Sequence, residues 1–382
     1  MTVSSKVPAL LPTYAPYPFA VHRGEGDRVF DAEGNAYLDW YGGHCVCATG
    51  HSHPRVAEAV ATQARSLMFY SMAASLPVRD VAAQKLVDFA PESIASVFFC
   101  NSGTEANENA LKLAILLTGR KKLAGCEGGW HGRTLLSLSV TDDAPITQPL
   151  AGLLTPAKTL PFNDVAALAQ VDLTDVAAVI VEPIQSMAGV RTATVEWLRA
   201  LRQACDASGT LLIFDEIQTG MGRTGSPFAA QHFGVTPDIL TSAKALASGV
   251  PMGATLVSEQ VARRIKPGDL GSTFGGGPLA CAAMIATLDI LHDERLMDRA
   301  SYVEAVLRRE LNGTVVRQIH GAGLLLGLRV GAHAAALRKH LLSARILVGG
   351  SHDPEVVRLM PPLNVSEDSV AKLIAAIRAF AA

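Results

Sequence analysis

Three short apolar runs constrain this chain more than any other feature: Ser96–Cys100 (SVFFC), Ala177–Pro183 (AAVIVEP) and Leu211–Glu216 (LLIFDE). Each is too short for a core helix and rich in β-branched or aromatic residues. None alternates polar with apolar, so all three read as strands buried on both faces. Stretches such as Val56–Leu67 (VAEAVATQARSL) and Val78–Ala90 (VRDVAAQKLVDFA) have helical spacing. Buried strands alternating with helices predict an α/β fold: a large domain whose mostly parallel sheet is flanked by helices. Such sheets gather ligands just beyond the carboxyl ends of their strands. The residues immediately after each run are therefore the candidates for function.

The flanks of the chain read differently. Val29–Gly43 (VFDAEGNAYLDWYGG) suggests two short strands around a Gly34–Asn35 corner. Beyond residue 271 a helical stretch (PLACAAMIATLDILHDERLM) is followed by strand-like LLLGLRV and VVRLM. This predicts a small α+β domain built from both termini: residues 1–52 as its N-terminal segment, 53–271 as the large domain and 272–382 as its C-terminal part. Only 18% of residues are charged and 49% are hydrophobic, which suits a large core and a surface partly covered by another subunit. A net charge of −2 with no long basic run leaves no footprint for nucleic acid or an anionic membrane. The N-terminal stretch lacks the pattern of a secretory signal, and no uncharged apolar run reaches the ~18 residues of a spanning helix. Six cysteines are too few for a disulfide scaffold in so long a chain, so a cytoplasmic protein with reduced thiols is expected.

After SVFFC comes NSGTEANENALKLAILLTG, a capped helix start with Ala106, Ala110, Leu113 and Leu117 on one stripe. A helix N-terminus carries about half a positive charge and several free N–H groups. Gly103 admits a ligand to the backbone, and Ser102 and Thr104 add hydroxyls; on these residues alone the segment is either a phosphate cup or an ordinary capped helix. No Gly-Lys-Ser/Thr follows, which argues against a nucleoside triphosphate. After LLIF come Asp215, Glu216, Ile217 and Gln218. A carboxylate ending a buried strand needs donors or a cation. It could cap the next helix, pair with an arginine or hold a protonated cofactor ring. Lys244 follows Asp215 by 29 residues, alone among small and apolar residues in a chain with 10 lysines and 23 arginines. Thr273, in GSTFGGGPLACAA, lies another 29 residues on.

The segments CNSGTEANENALKLA, WHGRT, VEPIQ, IFDEIQTGMGRTG, PDILTSAKAL, GSTFGGGPLACAA and VVRLMPPLNV together resemble the class III aminotransferases, a branch of the fold-type I pyridoxal-phosphate enzymes. The resemblance runs from about Thr13 to the C-terminus, and within the class it is greatest to the acetylornithine aminotransferases of arginine biosynthesis. It implies that Lys244 forms the Schiff base with pyridoxal 5'-phosphate and later shuttles a proton, which requires a neutral amine. An apolar surrounding lowers a lysine pKa and so explains the sparse charge around Lys244. By the same resemblance Asp215 grips the ring nitrogen and Gln218 the phenolic oxygen. Glu216 and Ile217 join Gln218 in the cofactor set, Ser102, Gly103 and Thr104 cradle the phosphate, and Trp130 stacks on the ring. Thr273 reaches the phosphate of a neighbouring subunit, so a homodimer with shared active sites is implied. Arg133 and Ser272 contact the substrate, and Arg358 takes the second carboxylate of a dicarboxylic partner such as 2-oxoglutarate or glutamate. His44, His51 and His53 are expected to bind no metal.

One departure stands out. Many class members have Gly-Glu after VEPIQ, and that glutamate masks the arginine matching Arg358; here the residues are Ser186 and Met187. WYGGH, MFYS and this non-acidic pair are also similar to a subset of ornithine transaminases that take a succinylated substrate. The expected reaction is transfer of the δ-amino group of N-acetylornithine to 2-oxoglutarate. N-succinylornithine, ornithine or a lysine-type donor are alternatives, as is an aminomutase on the same fold. A silent dimer that binds a phosphorylated ligand would instead be colourless when purified.

Overall fold

The structure is a computed structural model that describes residues 9–381. Two helices, α1 (Pro54–Ser66) and α2 (Pro77–Phe89), precede the central sheet, each with proline in its first turn, where the missing N–H costs nothing. The sheet strands are β1 (Ile94–Cys100), β2 (Lys122–Cys126), β3 (Ala157–Leu160), β4 (Val176–Val181), β5 (Leu211–Asp215), β6 (Ile239–Ser242) and β7 (Gly253–Ser258). Their spatial order is β1-β7-β6-β5-β4-β2-β3, with β7 antiparallel to both neighbours and the remaining pairs parallel.

All six residues of β4 are buried, as are the last four of β5, which is why both read as unbroken apolar runs. β1 differs from the expectation. It is an edge strand whose Ala95 and Ser96 are exposed, because only β7 pairs with it. Helix α3 (Gly103–Thr118) follows β1 directly and packs across β7, β6 and β4. Ser102 caps it by accepting from Glu105 N at 3.3 Å, and Gly119 ends it at φ +72°.

Outside this layer, strands Arg28–Phe30 and Ala36–Asp39 form the antiparallel hairpin that the sequence predicts. Ala36–Asp39 also pairs in parallel with Ile346–Leu347, so residues from the two ends of the chain share one sheet. A second small sheet joins Gln318–Ala322, Leu325–Arg329 and Val356–Leu359. The long helix Pro278–Asp293 packs on α1 and α2 as well as on the following helix, and so bridges the two layers just past the boundary expected at residues 271–272.

Candidate active site

Parallel strands bring their carboxyl ends to one edge of the sheet, and here that edge opens into a cavity of about 510 Å³. Its wall is built from residues just past the strand ends: Ser102, Gly103 and Thr104 after β1, Trp130 to Arg133 after β2, Glu182 after β4, Asp215, Ile217 and Gln218 around the end of β5, and Lys244 after β6. β7 runs the other way, so the residues before it, Gly249 to Met252, close the same side.

Asp215 ends β5 opposite Thr241 of β6. Its carboxylate is 3% exposed and is held by three groups. Oδ2 accepts from Asn107 Nδ2 at 2.7 Å and faces His131 Nδ1 at 2.8 Å, while Oδ1 accepts from Ile217 N at 3.1 Å. Asn107 lies one turn inside α3. Its amide also donates to His131 O at 2.8 Å and accepts from Thr241 Oγ1 at 2.7 Å. One asparagine thus ties helix, strand end and the 130s loop to a single carboxylate.

Lys244 begins a short 3-10 turn with φ +44°, a left-handed conformation that costs an L-residue energy and tends to persist at functional sites. Among the described residues its ammonium has neither a hydrogen bond nor an ion pair. Burial lowers its pKa, opposed by the nearby Asp215. Glu182 accepts from Trp130 N at 2.8 Å, and burial pushes its carboxyl up to about 7.

Ser102, Gly103 and Thr104 present the first turn of a 16-residue helix to the cavity. A side chain at Gly103 would strike Ile217, its Cβ falling 2.8 Å from Cδ1. Gly132, at φ +134°, lets the 130s loop cross Thr104, where a Cβ would come within 2.2 Å of Oγ1. Gln218 lines the cavity and its buried Oε1 has no hydrogen-bond partner. Trp130 stands in the wall between the Arg133 guanidinium, 5.5 Å from its ring centroid, and the His352 ring at 5.8 Å.

Several expected residues stand elsewhere. Glu216 is turned away from the cavity. Its carboxylate accepts from Ala229 N at 2.5 Å, Ala230 N at 2.7 Å and Thr219 Oγ1 at 2.9 Å, so it caps the next helix. Burial pushes it up to about 7. The helix-cap reading of the acids after β5 therefore applies to Glu216 and not to Asp215. Ser272 and Thr273 are outside the wall of their own chain's cavity: Ser272 Oγ accepts from Gly275 N at 2.9 Å, and Thr273 is exposed. Arg358 lies beside the cavity, 4% exposed, donating from Nη1 to Ser186 Oγ at 2.8 Å and from Nε to Gly350 O at 2.5 Å. Among the described residues no carboxylate pairs with it. Asn107, His131 and Glu182 are the site residues that sequence reasoning missed. Asn107 sits four residues after Gly103 on the same helix face, which was a usable signal.

A model of the family described as Aminotransferase class-III matches residues 11–380. The acetylornithine aminotransferase of Methanopyrus kandleri is 43% identical over 366 residues, covering 95% of this chain and 94% of that one. The crystal structure of acetylornithine aminotransferase from Elizabethkingia anophelis superposes with a TM-score of 0.82 at 32% identity, covering 97% of this chain and 96% of that chain. An amine transaminase from an uncultivated Pseudomonas species, solved in its PLP-bound form, superposes with a TM-score of 0.88 at 28% identity over 99% of this chain and 98% of that one.

Proposed function

This chain belongs to the class-III aminotransferases, and from that premise we propose that it transfers the δ-amino group of N-acetylornithine to 2-oxoglutarate, giving N-acetylglutamate semialdehyde and glutamate in arginine biosynthesis. The observation that carries the reading is an unpartnered, depressed lysine at one strand end and an anchored carboxylate at the next, both facing a helix N-terminus across one cavity.

The residues present suit pyridoxal phosphate. Ser102 to Thr104 offer helix N–H groups to a phosphate. The orphan amide of Gln218 has a polar neighbour to gain. Asp215, fixed by Asn107 and His131, would hold a protonated ring nitrogen, Trp130 would cover a ring face, and Lys244 would carry the group. When bound, pyridoxal phosphate supplies a carbonyl that binds the amine and a ring that accepts the electron pair left by the departing proton.

The chain's own residues do the rest. Burial lowers the Lys244 pKa, which favours a neutral Nζ that can accept the proton from the substrate's δ-carbon and deliver it elsewhere. Asp215 is fixed in place by its three partners, and a positive charge opposite its carboxylate is stabilised there. Arg133 meets a substrate carboxylate, assisted by Ser272 of a second copy since the chain's own Ser272 lies outside the cavity wall, and Arg358 takes a carboxylate of the dicarboxylic acceptor, since each guanidinium lacks an acidic partner among the described residues. Trp130 and the α3 N-terminus limit water at the reacting carbon.

We place the active enzyme in a homodimer, with Thr273 completing a second copy's phosphate site. An exposed apolar patch supports this: Met68, Phe69 and Phe274 are 64%, 41% and 64% exposed beside Thr273. Among the described residues no helix is long and apolar enough to cross a membrane, and six free cysteines suit the reducing cytoplasm. The test of the reaction is a competition assay offering acetylornithine, succinylornithine, ornithine and lysine with 2-oxoglutarate. Highest kcat/KM with acetylornithine supports the assignment. A preference for succinylornithine reassigns the acyl group, and no turnover with any donor rejects the reaction.

A further inference from the structure

We propose that His44, held by Tyr41, is a second carboxylate-binding group beside Arg358, and that it takes up a proton when a dicarboxylate occupies the site. This rests on the reading of Arg358 as a carboxylate partner.

The backbone is the first observation. Gly42, Gly43, His44 and Cys45 have φ of +59°, +55°, +66° and +67°, four successive residues in the left-handed region. L-residues avoid that region, so two of these four positions are strained. The turn is seated against the end of the strand that carries Arg358: a Cβ on Gly42 would fall 2.4 Å from Met360 O. It therefore fixes His44 with respect to Arg358.

The side chains are the second. The Tyr41 hydroxyl meets His44 Nδ1 at 2.5 Å. The Tyr41 ring lies on Gly349, 3.0 Å from where its Cβ would be, and Arg358 Cβ is 3.3 Å from the same point. Tyr14, in the cavity wall, has its ring 6.3 Å from that of His44. Among the described residues Arg358 donates only to a carbonyl and a hydroxyl and pairs with no carboxylate, which leaves room in its charge balance for an anion.

The groups around His44 are the Lys244 amine, the Arg358 guanidinium, the Tyr41 hydroxyl, the Tyr14 ring and Cys45 on its own turn. Asp39, the acid that anchors the start of this turn, is already engaged. It faces His51 Nε2 at 2.7 Å and accepts from Tyr41 N at 3.0 Å and Gly42 N at 2.8 Å. His44 is exposed on its outer side; desolvation of its inner side, then Lys244, then Arg358 push it below the usual histidine range, which favours the neutral imidazole in the free enzyme. A carboxylate between His44 and Arg358 reverses the local field, and the imidazole gains a proton from solvent. The Tyr41 hydroxyl donates to neutral His44 and accepts from the charged form, so the contact survives the change. Acceptor and donor are then told apart by proton uptake, with no acidic side chain masking Arg358.

The test uses the holoenzyme with glutarate, an unreactive dicarboxylate, and calorimetry near pH 7 in buffers of different ionisation enthalpy. Wild type is expected to take up a proton on binding, and its Kd to rise by up to ~10-fold per pH unit between the free and bound pKa values of His44. His44→Gln is expected to lose that uptake and slope and to bind glutarate ~10-fold more weakly at pH 6. Undiminished proton uptake in His44→Gln overturns the proposal. If that variant does not fold, Tyr41→Phe decides: it should move the midpoint of the uptake, and an unmoved midpoint overturns the proposal. Arg358→Ala separates the two readings. Loss of glutarate binding supports the role of Arg358 whatever His44 does, and retained binding overturns both.

Discussion

Asn107→Ala is the most informative single perturbation, because one amide serves three partners, two of which have no other partner among the described residues. The substitution removes a hydrogen bond to the Asp215 carboxylate and strands two buried groups, the Thr241 hydroxyl and the His131 carbonyl. A bond to a charged group contributes about 1.5–3 kcal/mol, and each stranded group costs about 1–3 kcal/mol. Part of that is recovered by relaxation, leaving about 4 kcal/mol. Unfolding entropy near 2.1 cal/mol/K per residue over 382 residues makes this a fall of about 5 °C in Tm. Scanning calorimetry of the cofactor-free protein measures it. Thr241→Val should cost less, about 1–2 kcal/mol, since it strands only Asn107 Oδ1. The double variant should be milder than the sum by about 1–2 kcal/mol, because the stranded hydroxyl is gone. Cofactor retention on gel filtration should drop in Asn107→Ala as Asp215 loses its anchor. A Tm within ~1 °C of wild type, with additive double-variant costs, would refute the argument that this amide organises the site.

Lys244→Ala should keep the fold, by circular dichroism, and lose turnover; wild-type activity would reject the mechanism. Met187→Glu should weaken the dicarboxylate acceptor and shift selectivity towards ω-amines, since it puts an acid beside Ser186 and Arg358; an unchanged donor profile leaves Met187 as wall packing. Glu216 has a folded pKa raised to about 7 from 4.5, so its share of stability is full below pH 4.5 and is lost as pH rises through 7, a change of about 3 kcal/mol. Denaturation from pH 4 to 8 should show a larger loss in wild type than in Glu216→Gln, which keeps only the share of Glu182. Mixed Lys244→Ala and Thr273→Ala subunits should regain part of the activity if each site draws on both copies; mixtures no better than the separate variants would count against shared sites.

Much of this site was readable from the chain because its strands are short, buried and immediately followed by chemistry. LLIFD ends on its carboxylate, and PDILTSA leads to its lysine. Parallel pairing then puts both at one edge. Glu216 misled for a related reason: a strand end points successive side chains to opposite sides, so the acid after Asp215 faces a helix start instead of the cavity. Asn107 and His131 were hidden because their partners lie 108 and 84 residues away from them in the chain. The status of β1 as an edge strand depends on β7 alone pairing with it, and no periodicity within SVFFC encodes that.

The charges at this edge suggest why one arrangement would serve both the proposed lysine chemistry and anion recognition. Lys244, Arg133 and Arg358 have no carboxylate of their own among the described residues, and the N-terminus of α3 adds further positive potential. Against them stand Asp215, fully committed to its three partners, and Glu182, whose raised pKa leaves it partly protonated near neutrality. The cavity lining is thus short of negative charge, and a phosphate and one or two carboxylates would supply it. Yet the lysine is depressed first by burial, with Asp215 opposing and Arg358 only a lesser contributor. Filling the anion sites should therefore leave Nζ neutral so long as water stays excluded. On this reading burial, more than the sum of nearby charges, would set the lysine to work.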